Sequence, residues 1–220
     1  MNPLRGILPE SEILSLVENL QQEGALVNWK NNPDGTRSPY EINVTYLDAL
    51  SLQDSSDEER IARFLLAHAV LLSFPGVPAV YIQSILGSRN DYEGVERLGY
   101  NRAINRKKYT AGQLDSELNN KKSIRYQIYS RLSELIAIRR GERAFHPDSQ
   151  VAFDAVGKQI LKIIRVAENG ERITALFNFS NKMQTVYEQT LSGKELLSGQ
   201  DISGTELILN PWQVMWIKEN

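Results

Sequence analysis

The chain has no cysteine. That excludes a disulfide framework, thiolate metal sites and a cysteine nucleophile. Histidine is almost as scarce: His68 and His146 are too few for a multi-histidine zinc centre. No run approaches the roughly 18 apolar residues of a membrane-spanning helix. The segment Met1 to Glu10 has one basic residue and no apolar core of signal-peptide length. A large charge of one sign is also lacking, since 25 Lys and Arg stand against 27 Asp and Glu, net −2. General nucleic-acid binders are usually basic, so that class is not expected. These absences lead us to expect a cytoplasmic protein with no nucleic-acid or membrane partner and no cofactor or metal. Asn43-Val44-Thr45 and Asn178-Phe179-Ser180 match the glycosylation pattern and are read as chance without a secretory signal.

What is present is an ordinary globular composition, 41% hydrophobic and 24% charged over 220 residues, enough for one large or two small domains. Ile13, Val17 and Leu20 form an apolar stripe over Ser11 to Glu23, with Ser11 as cap and Gly24 as stop. Asn28 to Pro39 carries dense turn signals and is expected to be a loop. Ser56 and Glu59 have capping-box spacing before a helix over about Asp57 to Ser73. Its inward face holds Ile61, Phe64, Leu65, His68, Ala69 and Leu72, and Pro75 stops it. Asp57, Glu58 and Glu59 serve the dipole of its first turn rather than chemistry. His68 on that face is read as a core histidine.

Pro78 to Ile82 is expected to be a short buried strand, and the polar stretch Gln83 to Tyr109 after it the place for binding. Helices are expected over Thr110 to Asn119 and Ser123 to Arg140. After Gly141 the period changes from 3.6 to 2. Ile173, Ala175, Phe177 and Phe179 alternate with Thr174, Asn178 and Ser180, and Trp212, Val214 and Trp216 alternate again at the end. Asn169-Gly170 signals a hairpin. A domain boundary is expected near Phe145 to Ser149, with an antiparallel all-β tail beyond it.

Four segments carry a resemblance. Phe74-Pro75-Gly76-Val77-Pro78-Ala79-Val80-Tyr81 resembles the approach to the last barrel strand of the α-amylase superfamily. Leu209-Asn210-Pro211-Trp212-Gln213-Val214-Met215-Trp216 resembles the closing strand of its β-domain. Pro39-Tyr40-Glu41-Ile42-Asn43-Val44-Thr45-Tyr46 and Tyr100-Asn101-Arg102-Ala103-Ile104-Asn105-Arg106 are narrower, and resemble the sucrose phosphorylase branch, which includes glucosylglycerate phosphorylases. The fold class this implies is α/β plus all-β: C-terminal units of an incomplete (β/α)8 barrel, then a small antiparallel β-domain. The implied division is a loop-rich subdomain with an acceptor loop over 1–56, the last βα units over 57–144, and the β-domain over 145–220.

The resemblance implies a retaining double displacement that passes a glucosyl group to phosphate. The substrates would be a glucoside, glucosylglycerate favoured and sucrose second, and inorganic phosphate. The family's three catalytic acids precede the segment matching Leu4 to Glu10, so no catalytic residue is assigned in this chain. The chain alone is therefore expected to be inactive and poorly folded, with an upstream chain as the partner that could complete the barrel. Arg102 matches the arginine that reaches a sugar hydroxyl beside an upstream Asp, with Arg106 second to it and Ala103 where the family has a polar residue. Tyr40 and Glu41 match the acceptor loop. Sucrose phosphorylases usually carry Gln at Glu41 and acid plus apolar residues at Arg37 and Ser38. The exchange argues against fructose as acceptor, and Arg37 suits a carboxylate acceptor. The loop cations Arg89, Arg97, Arg102, Arg106, Lys107 and Lys108, among Tyr92, Tyr100 and Tyr109, read as solvated charge and a phosphate-attracting rim rather than a nucleic-acid patch. Two other classes stay open: an α-glucosidase or glucosyltransferase part, and a non-catalytic carbohydrate-binding or interaction module.

Overall fold

A computed structural model describes residues 2–187 and 191–220. In chain order the helices are α1 (Glu10–Gln22), α2 (Tyr46–Ala49), α3 (Asp57–Ser73), α4 (Ile82–Ile85), α5 (Tyr92–Leu98), α6 (Ala111–Leu118) and α7 (Ile124–Gly141). The strands are β1 (Leu26–Asn31), β2 (Arg37–Asn43), β3 (Gln150–Val156), β4 (Ile160–Val166), β5 (Arg172–Asn178), β6 (Gln184–Tyr187), β7 (Gly193–Glu195), β8 (Asp201–Ile202), β9 (Glu206–Leu209) and β10 (Val214–Glu219). The chain divides into two compact units. One comprises Met1–Arg60 with Tyr81–Gln127, the other Ile61–Val80 with Ile128–Asn220.

In the first unit, α1 buries Ile13 and Val17 as its stripe predicts. Its N-cap is Pro9 rather than Ser11, with no side-chain cap. Gly24, at φ +95°, turns the chain into β1, and a Cβ there would lie 2.3 Å from the Tyr92 hydroxyl. The expected loop over Asn28 to Pro39 is instead a β-hairpin, with β1 and β2 paired antiparallel from Leu26↔Asn43 to Asn31↔Arg37. Its turn spans Asn32 to Thr36. There the Asp34 carboxylate accepts from the Thr36 N–H at 3.0 Å and the Thr36 hydroxyl at 2.6 Å, and Gly35 takes φ +82°. The turn residues dominate the sequence pattern here because the strands on either side are too polar to alternate.

The register slips once. Asn28 opposes Glu41 and Trp29 opposes Pro39, which leaves Tyr40 as the extra residue of a β-bulge. Pro39 cannot donate to a ladder, and bulges are where strands tolerate proline. Local capping then follows the sequence closely. The Ser56 hydroxyl accepts from the Glu59 N–H at 3.2 Å at the start of α3. Thr110 and Gln113 close a complete capping box on α6.

In the second unit a six-stranded sheet has the order β3-β4-β5-β10-β7-β8, with β6 and β9 as a separate pair. Every strand pair is antiparallel, and the Asn169-Gly170 hairpin joins β4 to β5 as expected. The alternation on β5 does not leave one face wet, since every residue from Ile173 to Asn178 is buried. Leu176, Met215 and Ile217 pack with Ile160, Val186, Leu191, Leu207 and Leu209 in one cluster. Trp216 points the other way along β10 and meets Phe145, ring centroids 4.8 Å apart.

Fully buried Arg165 donates from Nη1 to the Ser73 carbonyl at 2.9 Å and from Nη2 to the His146 carbonyl at 2.7 Å. Arg139 donates to the Gly76 carbonyl at 2.9 Å. Both cations thus serve carbonyls at the C-terminal end of α3, where the helix dipole is negative. His68 is 2% exposed, and its Nδ1 lies 2.9 Å from the Phe64 carbonyl. That is the core histidine read from the helical face.

One expected element is absent. Pro78 to Ile82 forms no strand, and Val77, Tyr81 and Ile82 are exposed, with Ile82 opening the short α4. A strand is stable only when a neighbour pairs its backbone groups, and no described residue offers that edge.

Candidate functional site

The residues singled out by motif lie in the first unit. Arg37 opens β2 opposite Asn31, exposed, and its guanidinium has no ion-pair partner among the described residues. Ser38 is buried, its hydroxyl turned back to Asn32 Oδ1 at 3.1 Å. Tyr40 stands on the bulge, half exposed. Bulges re-aim side chains and favour the rims of sites. Arg102 lies on a 3-10 turn over Asn101–Asn105.

The structure brings Glu41 and Arg102 together across 61 residues of chain. Arg102 Nε donates to both carboxylate oxygens, at 3.1 Å to Oε1 and 2.9 Å to Oε2. The resemblance implies an Asp as partner of Arg102, and the carboxylate it meets is Glu41. Half of the Arg102 side chain is exposed and about a third of Glu41, so the pair is open to solvent. The Arg102 hydrogen bond is the main cause that holds the Glu41 carboxyl below its usual range, with Asn28 and the nearby positive charge of Arg106 adding to it. Among the described residues neither Nη group of Arg102 has a hydrogen-bond partner.

Two asparagines that motif reasoning did not single out complete this group. Asn28 Nδ2 donates to Glu41 Oε2 at 3.1 Å. Asn101 Nδ2 donates to Asn28 Oδ1 at 2.8 Å. The signal that could have found Asn28 is the hairpin register, which sets it directly opposite Glu41. The arrangement presents a cationic fork, two N–H-rich groups wide, beside a fixed carboxylate. It can hold polyhydroxy or anionic ligands by donated hydrogen bonds.

Behind β2 lies a second ionic group. The Asp48 carboxylate accepts from the Asn90 N–H at 2.6 Å and the Thr45 hydroxyl at 3.0 Å, and it meets Arg89. Arg60 Nη1 stands 3.6 Å from it, and the Arg60 and Asp48 side chains are 6% and 8% exposed. Asn90 Oδ1 accepts from the Thr45 N–H at 2.8 Å. These bonds pin the end of β2, where the chain leaves the candidate site. Arg89 is thereby a structural cation rather than part of a free rim. Lys107 lies over the Tyr109 ring at 5.9 Å. Among the described residues no group of three or more His, Asp or Glu is placed to hold a metal ion.

Comparison with known proteins bears on this geometry. No protein-family model matches the chain. The chain is 63% identical over 218 residues to glucosylglycerate phosphorylase of Escherichia coli, a match covering 99% of this chain and 39% of that protein. Glucosylglycerate phosphorylase of Allomeiothermus silvanus is 37% identical over 98% of this chain and 38% of its own length. The chain therefore spans about two fifths of these relatives. Among solved structures, sucrose 6F-phosphate phosphorylase from Thermoanaerobacter thermosaccharolyticum superposes with a TM-score of 0.68 at 20% identity, over 94% of this chain and 38% of that one. At that identity the likeness concerns the fold alone: helical units followed in the chain by a small antiparallel β-domain. The match is to the C-terminal part of the sucrose and glucosylglycerate phosphorylase branch of the α-amylase superfamily.

Proposed function

We propose that this chain supplies the acceptor side and the β-domain of a retaining α-glucoside phosphorylase, with glucosylglycerate as its glucoside and sucrose as the second choice. The observation that carries this reading is the 63% identity to a glucosylglycerate phosphorylase over 99% of the chain. In the reading, a carboxylate nucleophile outside this chain takes the glucosyl group while an acid protonates the departing acceptor oxygen. Phosphate then attacks the anomeric carbon, the enzyme ester breaks, and the same acid, now a base, takes the phosphate proton. Two inversions give α-glucose 1-phosphate.

The residues of this chain bind and orient. Arg102 donates to a sugar hydroxyl from its Nη groups, Glu41 reads acceptor hydroxyls, Tyr40 meets phosphate or acceptor, and Arg37 pairs with the glycerate carboxylate. A fork of donors distinguishes a carboxylate from a neutral fructose unit, which is why the glucosylglycerate reading leads. A cytoplasmic setting agrees with the lack of cysteine. Among the described residues no helix is long and apolar enough to cross a membrane.

The test is product release by the full-length gene product. Incubation with glucosylglycerate and inorganic phosphate is expected to yield glucose 1-phosphate faster than sucrose does, and the 220-residue chain alone is expected to yield none. Phosphate-independent release of glucose would instead identify a glucosidase. Glycan binding with no turnover would identify a binding module.

A further inference from the structure

An arginine and a carboxylate usually meet as two forks, with Nε and one Nη group each facing an oxygen. Glu41 does not do this. Both of its oxygens converge on Nε of Arg102, at 3.1 and 2.9 Å. The two Nη groups, four N–H bonds in all, are left unused among the described residues.

A carboxylate that also faced an Nη group would gain a second nitrogen donor. Asn28 is placed to hold Glu41 on Nε instead. It is the direct cross-strand partner of Glu41 and donates to Oε2 at 3.1 Å. Its own amide is fixed from the other end, where Oδ1 accepts from Asn101 at 2.8 Å. Asn101 immediately precedes Arg102, so one side chain is tied to both ends of the ion pair.

The geometry points to Asn28 as a positioning residue: by holding the Glu41 carboxylate on the Nε edge of Arg102, it keeps both Nη groups clear of Glu41. The role of those groups toward a glucoside rests on the function proposed above. The holding itself does not.

The test uses Asn28→Asp in the full-length gene product. Aspartate keeps the shape and still accepts from Asn101, but it cannot donate to Glu41. Two readouts are taken. The first is kinetic: KM for the glucoside is expected to rise about tenfold, with kcat within about twofold. In a Glu41→Gln background the same substitution is expected to change KM by less than about twofold, because no carboxylate remains to be held. The second is independent of activity. Phenylglyoxal condenses with the Nη groups of arginine, and mass spectrometry reads the labelling rate of the peptide containing Arg102. That rate is expected to fall severalfold in Asn28→Asp as Glu41 swings onto an Nη group, and equally in Asn28→Ala.

Unchanged labelling in both variants overturns the inference, as does an equal kinetic effect in both Glu41 backgrounds. If the unmutated protein releases no glucose 1-phosphate while the labelling result holds, the phosphorylase reading fails and the assignment of Asn28 stands.

Discussion

Asp48 is the residue whose loss should do most damage to the first unit. Replacing it by alanine leaves Arg60 charged and 6% exposed at its side chain, with only the charges of Asp57 and Glu59 acting on it in place of Asp48. Burial and the neighbouring Arg89 already pull the Arg60 guanidinium below its ordinary value. Breaking a buried ion pair from one side costs about 3–5 kcal/mol. Three features put this case at the lower end. The Arg60–Asp48 contact is long, 3.6 Å. Arg60 also donates to the carbonyls of Leu52, Gln53 and Ser55 at 3.3–3.5 Å. Arg89 is half exposed and can turn to water. Against this, the Asn90 N–H loses a 2.6 Å acceptor. The balance is about 3 kcal/mol, or roughly a hundredfold in a local opening equilibrium. Hydrogen exchange of the Ala49 amide, which donates to the Thr45 carbonyl at 2.9 Å, reports that opening directly. Its protection is expected to fall roughly a hundredfold in Asp48→Ala of the full-length gene product. Replacing the pair together, Asp48→Leu with Arg60→Met, should recover most of it, because an apolar pair leaves no stranded charge. Protection within about threefold of the parent in Asp48→Ala, or a double variant worse than the single, would refute the reasoning.

Gly193→Ala should destabilise the second unit, since a Cβ there would sit 2.0 Å from the Lys218 carbonyl oxygen across the β7–β10 ladder. Backbone cannot give way as a side chain can, so the loss should be at least about 2 kcal/mol by denaturant titration. His68 carries a pH dependence: burial holds its imidazole below the ordinary value, opposed by the Phe64 carbonyl. A folded-state value depressed below the unfolded one means stability present above the unfolded value and lost as pH falls. Unfolding midpoints should therefore drop on acidification through the ordinary histidine range, and His68→Phe should flatten that slope.

The parts of this fold legible in the sequence are those decided locally. Ser56 and Thr110 cap their helices because a hydroxyl reaches an amide three residues on, and Asn169-Gly170 turns because glycine accepts φ +86°. The hairpin of β1 and β2 was hidden because its strands read Leu-Val-Asn-Trp-Lys-Asn and Arg-Ser-Pro-Tyr-Glu-Ile-Asn, without an alternating apolar face. The strand expected over Pro78 to Ile82 failed for the opposite reason. Its apolar character was plain, but a strand also needs an edge to pair with. Asp48 escaped notice because its partners Arg89 and Asn90 lie 41 and 42 residues away, and nothing near it in the chain marks them.

The candidate site shows how motif and geometry divide the work. Residue-by-residue resemblance identified Glu41 and Arg102 in two separate segments, and noted that glutamate replaces the usual glutamine at the first. That exchange argues against fructose as acceptor. The structure adds a second consequence: a glutamine amide could not accept from Arg102 Nε with two oxygens, whereas the carboxylate does. The departure from the motif and the arginine it retains are thus a single feature. Asn28 follows from the same logic, because a carboxylate drawn toward a guanidinium needs a further donor to keep it on one edge. A side chain that no motif names becomes necessary once the two that motifs name are seen to touch.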